Sequence, residues 1–101
     1  MSDLEVAEGL LIQGKDEEIV YSITTTNWIS SPDSATVTVY DEADESDVTS
    51  SVGALTASKS GDVVTLTELK DLVKGHTYRV EVAIVKGGAI YEPHFRVYCP
   101  R

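Results

Sequence analysis

The chain has 101 residues, with 17 acidic side chains against 8 basic ones, a formal charge of −9 and a single cysteine. One domain fits that length and two full cores do not. The acid excess excludes a generic binder of phosphate backbones, the lone cysteine excludes an internal disulfide, and an apolar share of 42% suffices for a core without a metal or cystine staple.

The opening MSDLEVAEG holds three acids and no base, so no secretory leader is read. Residues 1–8 are read as an N-terminal tail of the single domain 1–101. Apolar runs never exceed a few residues, against the ~20 that a membrane helix needs. The reading is a soluble protein made in the cytoplasm, which does not exclude later release as part of a particle.

The apolar residues then recur with period two rather than 3.6, the signature of half-buried strands. A short run at 9–13 is followed by 17–25, where Ile19, Tyr21 and Ile23 share one parity, and by 35–41, where Val37 and Val39 do. Runs at 52–58 and 63–67 come next. The clearest alternation is 77–85, with Tyr78, Val80, Val82 and Ile84 on one face. In 90–98, Phe95 and Val97 oppose His94, Arg96 and Tyr98. Pro93 cannot donate to a ladder and predicts an edge strand or a bulge there. Turn residues separate the runs at Gly14-Lys15-Asp16, Ser31-Pro32-Asp33, Lys59-Ser60-Gly61-Asp62 and Gly87-Gly88. Only 68–74 could make a helical turn, with Leu69 and Leu72 tucked under the sheets. Seven candidate strands at this spacing predict an all-β antiparallel sandwich. Its expected core is Leu11, Ile19, Tyr21, Ile23, Val37, Val39, Leu55, Leu66, Leu72, Tyr78, Val80, Val82, Ile84, Phe95 and Val97.

Leu72, Gly75, Tyr78, Val80 and Val82 form the pattern L-x-x-G-x-x-Y-x-V-x-V. It resembles the tyrosine corner that opens the sixth strand of immunoglobulin-like and fibronectin type III domains. In such a corner the hydroxyl bonds an upstream backbone group while the ring enters the core, and Gly75 would support a tight approach. Val80 stands where a disulfide-bearing immunoglobulin domain has cysteine, so the likeness is to the fibronectin-like branch. The segments VTVYD (37–41), DVT (47–49), YRVEV (78–82) and PHFRVYCP (93–100) are also similar in style to small structural proteins of tailed bacteriophages and prophages. That resemblance implies a head decoration, neck or tail component whose partners are other structural proteins, or itself in a ring or lattice.

Charge is uneven along the chain. Residues 1–58 hold 12 acids and one base, while residues 59–101 hold five acids and seven bases. In a fibronectin-like topology the loops 16–18 and 41–47 share one end. The opposite end then carries Asn27, Trp28, Ile29 and Pro32, with Lys59 and Lys86 nearby. The expectation is one acidic, solvated pole and one mildly basic, partly apolar pole where a partner docks through Trp28, Ile29, Lys59 and Lys86.

Asp41, Glu42, Asp44, Glu45 and Asp47 offer enough oxygens for calcium, yet the run lacks the glycine and spacing of an EF-hand loop. A solvated acidic hairpin accounts for the run more simply, and calcium is the lesser reading. Trp28 suits either the end of the core or an exposed anchor. His76 and His94 are read as surface histidines, and Cys99 as a small hydrophobe at the sandwich edge. No nucleophile motif, phosphate loop or aromatic–basic stripe is present. The sequence therefore assigns no catalytic residue, no cofactor, and neither nucleic acid nor membrane as partner. It leaves a structural binding module of a phage particle as the leading expectation. An adhesion or accessory domain for a carbohydrate or cell-surface ligand is the alternative.

Overall fold

A computed structural model describes residues 4–25 and 32–101, with side chains described from Leu11 onward. Nine strands occur among the described residues: β1 (Leu4–Ile12), β2 (Ser22–Thr24), β3 (Ser34–Asp41), β4 (Ser46–Asp47), β5 (Ala57–Ser60), β6 (Val63–Leu66), β7 (Thr77–Lys86), β8 (Ala89–Tyr91) and β9 (Pro93–Tyr98). The described residues contain no helix, and none that could cross a membrane. The larger sheet runs β1-β9-β7-β3-β4, with β8 also on β7; the smaller runs β2-β6-β5. Every pairing is antiparallel except β1 with β9.

One buried cluster draws on both sheets. Ile23, Val64 and Leu66 come from the smaller sheet; Val39, Val80, Val82, Ile84, Phe95 and Val97 come from the larger. Strict alternation along β7 buries every second side chain from Tyr78 to Ile84, which is what a sheet with one wet face requires. The Tyr21 and Phe95 rings meet across the sheets at 5.0 Å between centroids. Leu11, Tyr21 and Val37 pack against this cluster while partly exposed.

Several expectations are corrected by local geometry. The run 68–74 makes no helical turn: Asp71 has φ +58°, outside the right-handed region, and Leu69 bonds Ile19 in both directions at 2.9 and 3.1 Å. The run 52–58 is not a strand until Ala57. Residues 48–54 instead fold back on themselves through Val52 N–H to Val48 O at 3.2 Å and Ala54 N–H to Thr49 O at 2.9 Å. Gly53 is required there, because a Cβ on it would lie 2.5 Å from the Glu68 carbonyl oxygen and its φ is +113°. The turn delivers Val52 and Leu55 to the core.

The last run divides at Glu92 into β8 and β9, which keep one continuous register on β7, from Lys86↔Ala89 to Thr77↔Tyr98. Pro93 opens β9 but does not mark an edge, since β1 lies on the far side. The first position of a strand is one where a proline costs little. β1 begins at Leu4, within the segment read from sequence as a tail, because Leu4 and Glu5 find ladder partners in Pro93 and His94.

Candidate functional site

The outer face of the larger sheet gathers the charge network of the molecule. Thr77, Arg79, Glu81, Ala83 and Val85 of β7 alternate with the buried residues and remain partly exposed. Ladder register sets Arg79 between Tyr40 of β3 and Arg96 of β9, and sets Glu81 between Thr38 and His94.

Arg79 is the hub. Its Nη1 and Nη2 donate to the two oxygens of Glu45 at 3.2 and 2.7 Å, and its Nε donates to Glu81 at 2.7 Å. Glu42 stands 3.6 Å away, and the guanidinium carbon lies 5.0 Å from the Tyr40 ring centroid. Hydrogen bonds to Glu45 and Glu81 hold the guanidinium well above its ordinary pKa, against the opposing effect of burial. Arg96 donates twice to one oxygen of Glu42, at 3.0 and 2.8 Å. The β3–β4 hairpin makes this possible. Glu45 N–H bonds Asp41 O at 2.8 Å, and Glu45 adopts φ +59°, turning the loop back over β7.

The acidic run is thereby divided among separate partners. Asp41 accepts from Ala43 N–H at 3.0 Å and meets His76 Nδ1 at 2.6 Å. Asp44 accepts from Ser46 Oγ at 2.7 Å and Ser46 N–H at 3.1 Å; Asp47 accepts from Thr49 Oγ1 at 2.7 Å and Thr49 N–H at 3.0 Å. These bonds, the hydroxyl donors first, hold both carboxyls below the usual aspartate range. Among the described residues no three His, Cys, Asp or Glu side chains gather into a metal-holding group. His76 is the partner of Asp41 rather than a plain surface residue, and its ring lies 6.3 Å from that of Tyr78. His94 is partly exposed on β9.

At the entry to β7, the Tyr78 hydroxyl accepts from Val73 N–H at 2.8 Å, and the side chain is buried. Burial pushes its phenol above the ordinary value. Leu72 is buried in the same core cluster. Gly75 makes no close approach, since a Cβ there would meet nothing within 4 Å; its φ of +87° is what calls for glycine.

Sequence reasoning missed Gln13. It is wholly buried, donates from Nε2 to Leu69 O at 2.6 Å and Glu17 O at 3.0 Å, and accepts from the Tyr21 hydroxyl at 2.9 Å. Burial, then the Glu17 charge, raises the Tyr21 phenol pKa. One signal was available: Gln13 shares the parity of Leu11.

The loops 16–18 and 41–47 do lie at one end. Lys15 N–H bonds Arg101 O at 2.6 Å, Gly75 N–H bonds Cys99 O at 2.6 Å, and Glu42 N–H bonds Thr77 O at 2.9 Å, tying the turns together. That end is not simply acidic, because Lys15, Lys74, Arg79, Arg96 and Arg101 are brought to it. Cys99 is fully buried there, which removes it from intermolecular disulfide chemistry. At the opposite end, Lys59 is exposed on β5 and Lys86 closes β7. Trp28 and Ile29 lie outside the described residues. Neither a family model nor a curated protein matches the chain.

Proposed function

We propose that the chain is an immunoglobulin-like sandwich of the fibronectin type III style, acting without chemistry as a docking module in a tailed-phage or prophage particle. Two features support the fold type: the Tyr78 hydroxyl bond just upstream of β7, and the division into β2-β6-β5 and β1-β9-β7-β3-β4. The observation that carries the docking role is the row Tyr40–Arg79–Arg96 on the outer face of the larger sheet. Tyrosine and arginine are the residues that dominate interface energies, and here Arg79 is already held in place by its carboxylates, so less side-chain entropy is lost on contact. The particle setting rests on the resemblance of segments 37–41, 47–49, 78–82 and 93–100 to small phage structural proteins.

The test is co-fractionation. Particles are purified from a host carrying the gene, and their proteins are measured by quantitative mass spectrometry. The chain is expected in the particle fraction at a fixed ratio to the major structural protein. An Arg96→Glu variant that folds normally by circular dichroism is expected to move to the particle-free fraction. Wild-type protein found only in the particle-free fraction overturns the particle setting, and retention of Arg96→Glu overturns the face.

A further inference from the structure

The larger sheet ends, beyond β9, in a border that β1 covers unequally. From Leu10 to Ile12, three consecutive residues of β1 pair with Arg96, Val97 and Tyr98. Gln13 extends that hold through its N–H to Tyr98 O at 3.0 Å and through its buried side chain. At the other end only Leu4 and Glu5 pair, with Pro93 and His94, and Pro93 has no N–H to give. Between the two holds the register slips: four residues of β1, 6–9, stand against Phe95 alone. Among the described residues, no strand lies beyond the outer edge of Ala89–Tyr91.

We infer that the Leu4 and Glu5 end of β1 exchanges between copies of this chain, leaving its own Pro93–His94 edge for the same edge of a second copy. This gives the docking reading one definite partner, and it does not depend on the phage setting. The occupant is fixed by fit. An incoming strand must lie parallel to β9 and tolerate a proline that donates nothing, and residues 4 and 5 already do both. Exchange restores the same two pairings, so the balance is set by the connecting segment and by protein concentration, which is why strand exchange is a low-cost route to assembly. The segment 6–9 has slack for it: its four residues span about 13 Å when extended, and Gly9 tolerates a reversal of direction. The part that opens is a two-residue parallel pairing, while Leu10–Gln13 stay anchored.

The experiment uses the full chain carrying Glu5→Cys and His94→Cys together. These positions are ladder partners, and neighbouring strands lie about 4.8 Å apart, inside the Cα span that a disulfide bridges. Each single variant serves as a control, and Cys99 stays in place because it is buried. After mild oxidation over a concentration series, the double variant is expected to give covalent dimers whose share rises at least several-fold across the series and exceeds that of either single variant. A bond found only within one chain at every concentration overturns the inference. A second measurement needs no new cysteine: in size-exclusion with light scattering the dimer share of the unmodified chain should rise with concentration, and deleting Ala7 and Glu8, which removes the slack between the two pairings, should lower it. An unmodified chain that elutes as pure monomer across the series, or a deletion variant that folds and dimerises to the same extent, overturns the inference as well. Failure here leaves particle co-fractionation standing, and interchain bonds in a protein absent from particles remove only the phage reading.

Discussion

Gln13 and Tyr21 should be energetically coupled. Gln13 is the one amide wholly buried among the described residues, and its bonds join the 14–18 turn, the bridge at Leu69 and the start of the smaller sheet. Replacing it with leucine keeps the volume but removes three hydrogen bonds. The Leu69 carbonyl retains Ile19 N–H at 3.1 Å, so its loss is partial. The Glu17 carbonyl and the Tyr21 hydroxyl lose buried partners outright. At about 1 kcal/mol per net bond, Gln13→Leu should cost about 2–3 kcal/mol, a large share of the ~5–15 kcal/mol typical of a small domain. Tyr21→Phe leaves the Gln13 oxygen without its donor and should cost about 1 kcal/mol. Once Gln13 is gone, Phe at 21 has no bond left to break. The double variant should therefore be less destabilised than the sum of the singles by about 1 kcal/mol. Urea unfolding monitored by Trp fluorescence, with the m-value unchanged, measures all three. Additivity within about 0.3 kcal/mol would refute the network as a unit.

Tyr78→Phe should cost about 1 kcal/mol in the same assay, because Val73 N–H loses its acceptor; no change would show that water replaces it at no cost. Arg79→Ala should cost about 1–2 kcal/mol, since it removes a bidentate pair, a second carboxylate contact and an aromatic stacking partner together, whereas Arg96→Ala, which gives up its two bonds to one oxygen of Glu42, should cost about 0.5 kcal/mol. Both effects should shrink in 1 M salt, and equal costs for the two would remove Arg79 as hub. Gly53→Ala should be the worse of two glycine changes, about 2–3 kcal/mol against about 1 kcal/mol for Gly75→Ala, because only at 53 does a clash with backbone add to the positive φ. Asp44 and Asp47 have depressed folded pKa values, so their contribution to stability is present above the unfolded aspartate value of about 3.9 and is lost as pH falls through the folded values. Carboxyl NMR titration should find Asp44 rising toward the ordinary value in Ser46→Ala, and an unmoved titration would refute the assignment.

What was legible in the sequence was whatever a local period could encode. β7 has ten residues of clean alternation, and its inward face reads directly as Tyr78, Val80, Val82 and Ile84. Val64 was missed although it shares the parity of Leu66, which the sequence does place in the core; its ladder partner across the smaller sheet is the buried Ile23. Val52 reaches the core through a turn, where alternation carries no meaning. The Arg79–Glu45 and Arg96–Glu42 pairs join residues 34 and 54 positions apart. Glu45 reaches Arg79 only because the β3–β4 hairpin closes in four residues and Glu45 accepts a left-handed backbone, neither of which composition announces. Gly75 was legible as a glycine position for the wrong reason: the constraint is its backbone angle.

The charge of −9 reads differently once these pairs are in place. The first half of the chain supplies nearly all its acids without bases, yet Glu42 and Glu45 are met by arginines from the second half, and Asp41 is met by His76. On the outer face of the larger sheet, Arg79 and Arg96 stand among Glu42, Glu45 and Glu81, so this group of five departs from neutrality by a single charge while the whole chain departs by nine. A second body approaching the 16–18 loop meets three carboxylates against the single ammonium of Lys15 and pays for their desolvation. One approaching the Arg79 row meets charges already hydrogen-bonded to each other, in positions that need little rearrangement, with Tyr40 beside them. Both the row and the exchangeable end of β1 belong to the larger sheet. A contact that began on its outer face would bring a second copy close to the edge that Leu4 and Glu5 occupy, which makes the two proposals mutually reinforcing at high local concentration.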